Sequence, residues 1–206
     1  MYAWFTAQAV WRASCARLAG RLADLAAPRI ADLGCGPGVS TFELARHLPE
    51  ARLVGVDVAP RMLDQAQRRR RNACVPSARI TWLLADAGHL PLDDNSLDAC
   101  TGHSFLYLVG NRAAVLSEVR RVLRPGGRLV LMEPNDRPTS VAQVLEISRD
   151  PRHLVSISLW RPFSRLNGRF TMATLTATLE RAGFIIGGAE ETFGGLGILA
   201  WAETPG

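Results

Sequence analysis

The residues with the clearest chemical logic lie in "IADLGCGPGVS", residues 30–40, where an apolar run carries one acid, Asp32, and then opens into three glycines at alternate positions, Gly34, Gly36 and Gly38, with Cys35 between the first two. Glycine lets a backbone adopt positive φ or come close to another group. A helix that starts behind such a turn points free N–H groups and the positive end of its dipole back at the site. The chemistry this suits is the binding of a ligand with a carboxylate or phosphate. Two more acids close later apolar runs: Asp57, with Val58 after it, ends "ARLVGVD", and Asp86, with Ala87 after it, ends "ARITWLLAD". Beyond a fourth run, "SLDACTG", stands His103, an imidazole that titrates near neutral pH and is the candidate general base.

These residues need elements to place them. Trp4, Trp11, Cys15, Leu18, Leu22 and Leu25 recur at helical spacing, with Arg12, Arg17 and Arg21 off the stripe, which predicts an amphipathic helix before residue 28. "RIADLG", "ARLVGVDV", "ARITWLLAD", "SLDACTG" and "RLVLMEPN" read as five strands. Helices alternate with them: one from about Val39 to His47, "APRMLDQAQRRRRN", and "NRAAVLSEVRRVL" closed by the turn "RPGG". Strand–helix alternation predicts an α/β fold, a doubly wound, mostly parallel sheet covered on both faces. Residues 136–170, with Pro138, Pro151 and Pro162, interrupt the rhythm over a length too great for a plain loop and predict a helical lid after strand five. "TMATLTATLERAGF" predicts a capped helix, and strands around Ile185–Thr192 and Leu196–Ala202 a hairpin joined through glycines, seven strands in all. The expectation is one domain over 1–206, with 1–27 as an N-terminal cap.

In such a sheet ligands bind beyond the C-terminal ends of the strands, where strand order reverses. Two nucleotide-binding turns differ in spacing: the dinucleotide fingerprint is G-x-G-x-x-G, whereas this chain has G-x-G-x-G with Asp32 two residues before it. Together with Asp57, with "LLADAGHLPLDDNSLDA" and with "EVRRVLRPGGRLVL", this resembles the class I S-adenosylmethionine-dependent methyltransferases over residues 28–133, with the small-molecule branch that includes quinone-biosynthesis and phospholipid methyltransferases the most similar. The resemblance implies a Rossmann-like methyltransferase fold and S-adenosyl-L-methionine as cofactor. It implies that Gly34 and Gly36, with Cys35 in the same turn, approach the methionine and ribose, that Asp32 holds the cofactor amino group directly or through water, and that Asp57 accepts from the ribose hydroxyls beside Val58. A cap for the helix that begins at Pro60 is the local alternative for Asp57. Asp86 and Ala87 would meet the adenine. Met62 packs on the adenine or fills the helix's buried side. Just beyond strand four, Gly102, His103 and Ser104 would touch cofactor or acceptor.

Because a sulfonium methyl is already electrophilic, such a protein mainly aligns the acceptor for in-line attack and keeps water out. His103 would serve as base for an acidic acceptor, the alternative being a structural histidine. Candidates for the acceptor side are Tyr107, Trp4, Trp11 and, in the lid, His153, with Phe105 and Glu133 open between site and core.

Composition narrows the field. All 24 basic residues are arginine, so chemistry that needs a lysine, such as a Walker phosphate loop or a Schiff base, is excluded. The four cysteines, at 15, 35, 74 and 100, form no metal-ligand spacing, and no metal is expected. No apolar stretch approaches the ~18 residues of a bilayer span. A cytoplasmic protein is expected, with peripheral contact at the inner membrane face through Trp4, Phe5, Trp11 and nearby arginines as a secondary expectation. The leading expectation is methyl transfer to a small-molecule or lipid-like acceptor. A phospholipid headgroup N-methyltransferase at the membrane is the second reading. An RNA-binding or RNA-modifying protein, suggested by the net charge of +5, is the third. Strand five ends in "EPND" rather than an Asn/Asp-Pro-Pro-Tyr box, which counts against DNA. Oligomeric state and acceptor are not legible.

Overall fold

The computed structural model describes residues 9–70 and 79–206; Trp4, Phe5, Arg71 and Cys74 lie outside them. The predicted helix before residue 28 is α1 (Ala9–Gly20) within the described residues, and its stripe is the buried face, Trp11, Cys15, Leu18 and, just past its end, Leu22. The short apolar runs become β1 (Arg29–Leu33), β2 (Arg52–Asp57), β3 (Ile80–Leu84), β4 (Leu97–His103) and β5 (Leu123–Pro134), and between them lie α2 (Val39–His47), α3 (Pro60–Arg70) and α4 (Arg112–Val122). The lid region holds two helices, α5 (Val141–Ile147) and α6 (Pro151–Leu166), and α7 (Met172–Arg181) leads to the hairpin β6 (Ile185–Thr192) and β7 (Gly197–Glu203).

The strands form one seven-stranded sheet in the order β3-β2-β1-β4-β5-β7-β6. β1 to β5 pair in parallel, and β7 joins antiparallel to both β5 and β6. Because side chains alternate across a strand, each strand feeds both cores. Ala31, Leu33, Leu129, Leu131, Ile198 and Ala200 pack against Val115, Val119, Leu175 and Leu179 of α4 and α7. Ile30, Val130, Met132 and Leu199 pack on the opposite side against Leu18 and Leu22 at α1 and Phe42 and Leu44 of α2. Strand order reverses between β1 and β4, so the turn after Leu33 and the residues after His103 share one end of the sheet.

One expected boundary differs. "RPGG" does not close α4; β5 begins at Leu123, and Gly126 and Gly127 exchange backbone bonds with Thr204 after β7. The partner that holds this backbone extended lies 77 or more residues away in sequence, beyond the reach of a local turn signal.

Candidate active site

All three glycines of the turn adopt positive φ, +61° at Gly34, +53° at Gly36 and +82° at Gly38. The close approach they permit is in part to the protein itself. A Cβ on Gly34 would collide with the Phe105 ring, and one on Gly38 would come within 2.8 Å of Trp82. The turn thus lets the β4 loop and β3 close on α2.

Asp32 sits beneath the turn and is fully buried. It accepts hydrogen bonds from Ser40 Oγ and Thr41 Oγ1, both at 2.6 Å, and from Thr101 Oγ1 at 2.9 Å. Burial raises its pKa, while the three hydroxyls oppose that. The sequence expectation for it is a grip on a ligand amino group, directly or through water; it lines neither of the two cavities described below. Its carboxylate instead ties α2 and β4 to β1.

Asp57 is the acid that faces outward. One oxygen accepts from Gly36 N and the other from Ala59 N, both at 2.8 Å. It therefore joins the glycine turn to the approach of α3, and each oxygen keeps a second acceptor direction.

After β4 the chain turns through Ser104, at φ +52°, into a single 3-10 turn at Leu106–Leu108. Two groups hold this loop. Glu133, fully buried at the end of β5, accepts from the amides of Phe105 (3.1 Å), Leu106 (2.7 Å) and Tyr107 (3.1 Å). Arg112 donates to the carbonyls of Leu106 (3.2 Å) and Tyr107 (3.3 Å) and stacks on Phe170. Burial pushes the Glu133 carboxyl up to about 7, against the pull of the three amides. Sequence reasoning leaves Glu133 ambiguous and misses Arg112. An acid at the end of a central strand is the available signal.

His103, the candidate base, lines the smaller of the two cavities described below. Burial takes its pKa down to about 4, which leaves a neutral ring at physiological pH. Its Nε2 lies 2.7 Å from Ser14 Oγ on α1, and Ser14 Oγ also lies 2.9 Å from the Trp11 carbonyl.

Around these groups lie two cavities that meet. The larger, about 550 Å³, is lined by Gly34, Gly36, Asp57, Val58, Met62, Asp86, Ala87, His89 and the loop from Ser104 to Asn111. The smaller, about 260 Å³, is lined by Trp11 and Cys15 of α1, Cys35, His103, Tyr107, and Ser156, Leu159, Trp160 and Phe163 of α6. Gly34, Gly36 and Ser104 line both. Ser104 Oγ, at this seam, is buried and has no hydrogen-bond partner among the described residues. The smaller cavity's described lining contains no charged side chain.

The predicted residues therefore divide. Asp57, Val58, Met62, Asp86 and Ala87 come together in the larger cavity; Cys35, His103, Tyr107 and Trp11 come together in the smaller one; Gly34 and Gly36 serve both. His153 lines neither, its Nδ1 being 2.8 Å from Ser148 Oγ at the start of the lid helix. Trp11 is buried, donates from Nε1 to Ser156 Oγ at 2.7 Å and packs on Trp160 and Phe193, so it is wall and not a membrane-inserting side chain. Sequence reasoning misses the α6 residues because nothing local marks which turn of a lid helix reaches a cavity.

Residues 30–127 match the family model described as "Methyltransferase domain". The chain is 40% identical over 117 residues to the ubiquinone/menaquinone biosynthesis C-methyltransferase UbiE of Dinoroseobacter shibae, covering 57% of this chain and 46% of that protein. It is 39% identical over 129 residues to the demethylmenaquinone methyltransferase of Tropheryma whipplei (strain Twist), covering 63% and 50%. The chain thus spans about half the length of these curated relatives. Among solved structures it is similar to a SAM-dependent methyltransferase from Aquifex aeolicus (TM-score 0.69, 17% identity, 91% of this chain and 88% of that one). It is also similar to the [4+2]-cyclase SpnF (TM-score 0.73, 19% identity, 95% and 81%). At those identities the structural likeness shows the fold, and a cyclase among the neighbours underlines that fold alone does not set the reaction.

Proposed function

We propose, on the premise that this chain carries a class I S-adenosylmethionine-dependent methyltransferase domain, that it transfers a methyl group to a small, uncharged, apolar or lipid-like acceptor held in the cavity beside Trp11. The observation that carries this reading is the meeting of the two cavities at Gly34, Gly36 and Ser104.

The larger cavity fits the cofactor on its own chemistry. Asp57 offers acceptors to a pair of sugar hydroxyls, Asp86 offers one to an amino group, and Met62, Val58 and Ala87 supply apolar contact for a ring. Asp32, buried beneath the turn, holds it in shape. S-adenosyl-L-methionine, when bound, supplies an electrophilic methyl on its sulfonium; the remaining work belongs to the chain. Trp11, Leu159, Trp160 and Phe163 exclude water and orient the acceptor. His103, its Nε2 held by Ser14 and its pKa brought down by burial to about 4, lines the acceptor side as a neutral ring.

An uncharged lining favours an apolar acceptor over a phospholipid headgroup, whose phosphate and ammonium would meet no counter-charge there. It equally disfavours RNA, which needs a cationic groove. The quinone-type relatives agree with an apolar ring acceptor. The test is incubation with methyl-labelled S-adenosylmethionine and demethylated quinols, beside a metabolite extract. Label in an apolar ring product supports the reading; label only in phospholipid or RNA overturns it.

A further inference from the structure

Helix α6 is built inside out. A helix on the surface of a water-soluble domain normally turns its apolar stripe inward, yet α6 turns inward Ser156, Arg161 and Ser164, with Ile157 the one large apolar residue it buries completely. The inward face is held by polar bonds: Trp11 Nε1 to Ser156, Arg161 to the carbonyls of Asn135 (2.9 Å) and Arg137 (2.6 Å), and Arg169 Nε to Ser164 Oγ (3.0 Å). The outward face carries Val155, Leu159, Phe163 and Leu166, which are 49%, 55%, 47% and 86% exposed. Their spacings of four, four and three place them on one side of the helix. Leu159 and Phe163 also line the smaller cavity, so the exposed stripe runs to its mouth. Cations border the stripe, with exposed Arg149 and Arg152 at its beginning and Arg165 on its flank. Arg152 is paired with Asp150 at 3.1 Å.

We propose that the outer face of α6 docks on an anionic bilayer surface, its apolar stripe entering the acyl boundary and its arginines meeting acidic headgroups. An apolar face with a basic border is the chemistry of a helix that lies in the membrane interface. Of the N-terminal aromatics expected to touch a membrane, Trp11 is buried and Trp4 and Phe5 lie outside the described residues; the surface proposed here is on the lid. Resting on the acceptor reading above, the arrangement also lets an apolar acceptor pass from the bilayer into the cavity between Leu159 and Phe163 without crossing water.

The test is flotation of the full chain with phosphatidylcholine vesicles containing about 30% phosphatidylglycerol, and with phosphatidylcholine alone. Wild type should float with the anionic vesicles, and Val155→Glu/Leu166→Glu, at two positions that line neither cavity, should lower the bound fraction about tenfold or more while S-adenosylhomocysteine affinity stays unchanged. Should that variant fail to fold, Leu166→Gln alone, at the most exposed position of the stripe, reads the same contact by flotation. Docking is overturned if wild type does not float, if a folded variant floats as well as wild type, or if sedimentation shows the stripe joining two copies of the chain in place of binding vesicles. Flotation needs no acceptor, so a protein that floats yet methylates no apolar compound overturns the acceptor reading alone.

Discussion

Two carboxylates that look alike in the sequence do different work because one faces water and the other does not. Asp57 lines the larger cavity with acceptor capacity to spare. Asp57→Ala is expected to weaken S-adenosylhomocysteine binding at least about tenfold, since a hydrogen bond to a charged group contributes about 1.5–3 kcal/mol; titration calorimetry reads this directly, and unchanged affinity would remove Asp57 from the cofactor site. Glu133 holds three amides of the loop that lines both cavities. Glu133→Gln leaves the Tyr107 N–H facing an amide NH2 or deprives the other two of their acceptor. The expected cost is about 1–3 kcal/mol in a denaturant titration, with a rise in KM for both ligands as the loop loosens. The glycines and Asp57 are visible as a pattern; the division of labour between Asp32 and Asp57 is not, because exposure is decided by Ser40, Thr41 and Thr101 closing over Asp32.

Helices are legible where their ends carry their own chemistry. α7 begins with a capping box, the Thr171 hydroxyl accepting from Thr174 N at 3.1 Å while the Thr174 hydroxyl accepts from Thr171 N at 2.8 Å. Thr171→Ala should cost about 1 kcal/mol, read as a lower unfolding midpoint with ligand binding unaffected, because α7 packs on the sheet through Leu175 and Leu179 and lines neither cavity. The sequence predicts a lid of one or two short helices over residues 136–170, but neither the bounds of α6, which starts behind Asp150 and runs on through Pro162, nor its orientation. Periodicity says that Val155, Leu159 and Phe163 share a side; it does not say that this side faces out. The hydrogen bonds of Ser156, Arg161 and Ser164 to distant backbone and side chains turn the helix about its axis.

For the molecule as a whole, His103 and Glu133 bend the pH dependence of stability in opposite directions. His103 has a folded pKa of about 4 against an ordinary 6.5, so the unfolded chain binds a proton first and stability falls as pH drops from about 6.5 towards 4. Glu133 has a folded pKa of about 7 against an ordinary 4.5, so the folded chain keeps the proton longer and stability falls as pH rises from about 4.5 through 7. A tenfold difference in proton affinity between the folded and unfolded chain corresponds to about 1.4 kcal/mol at most. Urea midpoints measured across this range should show a steeper rise below neutrality in Glu133→Gln than in wild type, and a flatter acid limb in His103→Gln. Equal slopes in all three proteins would mean that neither group is desolvated as the fold places it.

What can be read along the chain is set by neighbours: the glycine turn that needs positive φ, the strand–helix alternation that demands a parallel sheet, the caps and the hairpin. These are decided within a few residues by sterics and hydrogen bonding. What only the folded molecule decides are relations between residues far apart: that α1 and α6 meet across Trp11 and Ser156, that Glu133 and Arg112 clamp one loop, that burial keeps His103 neutral, and that a second, uncharged cavity opens against the first. Desolvation and cavity shape depend on everything packed around a group, and no single stretch of chain contains that information.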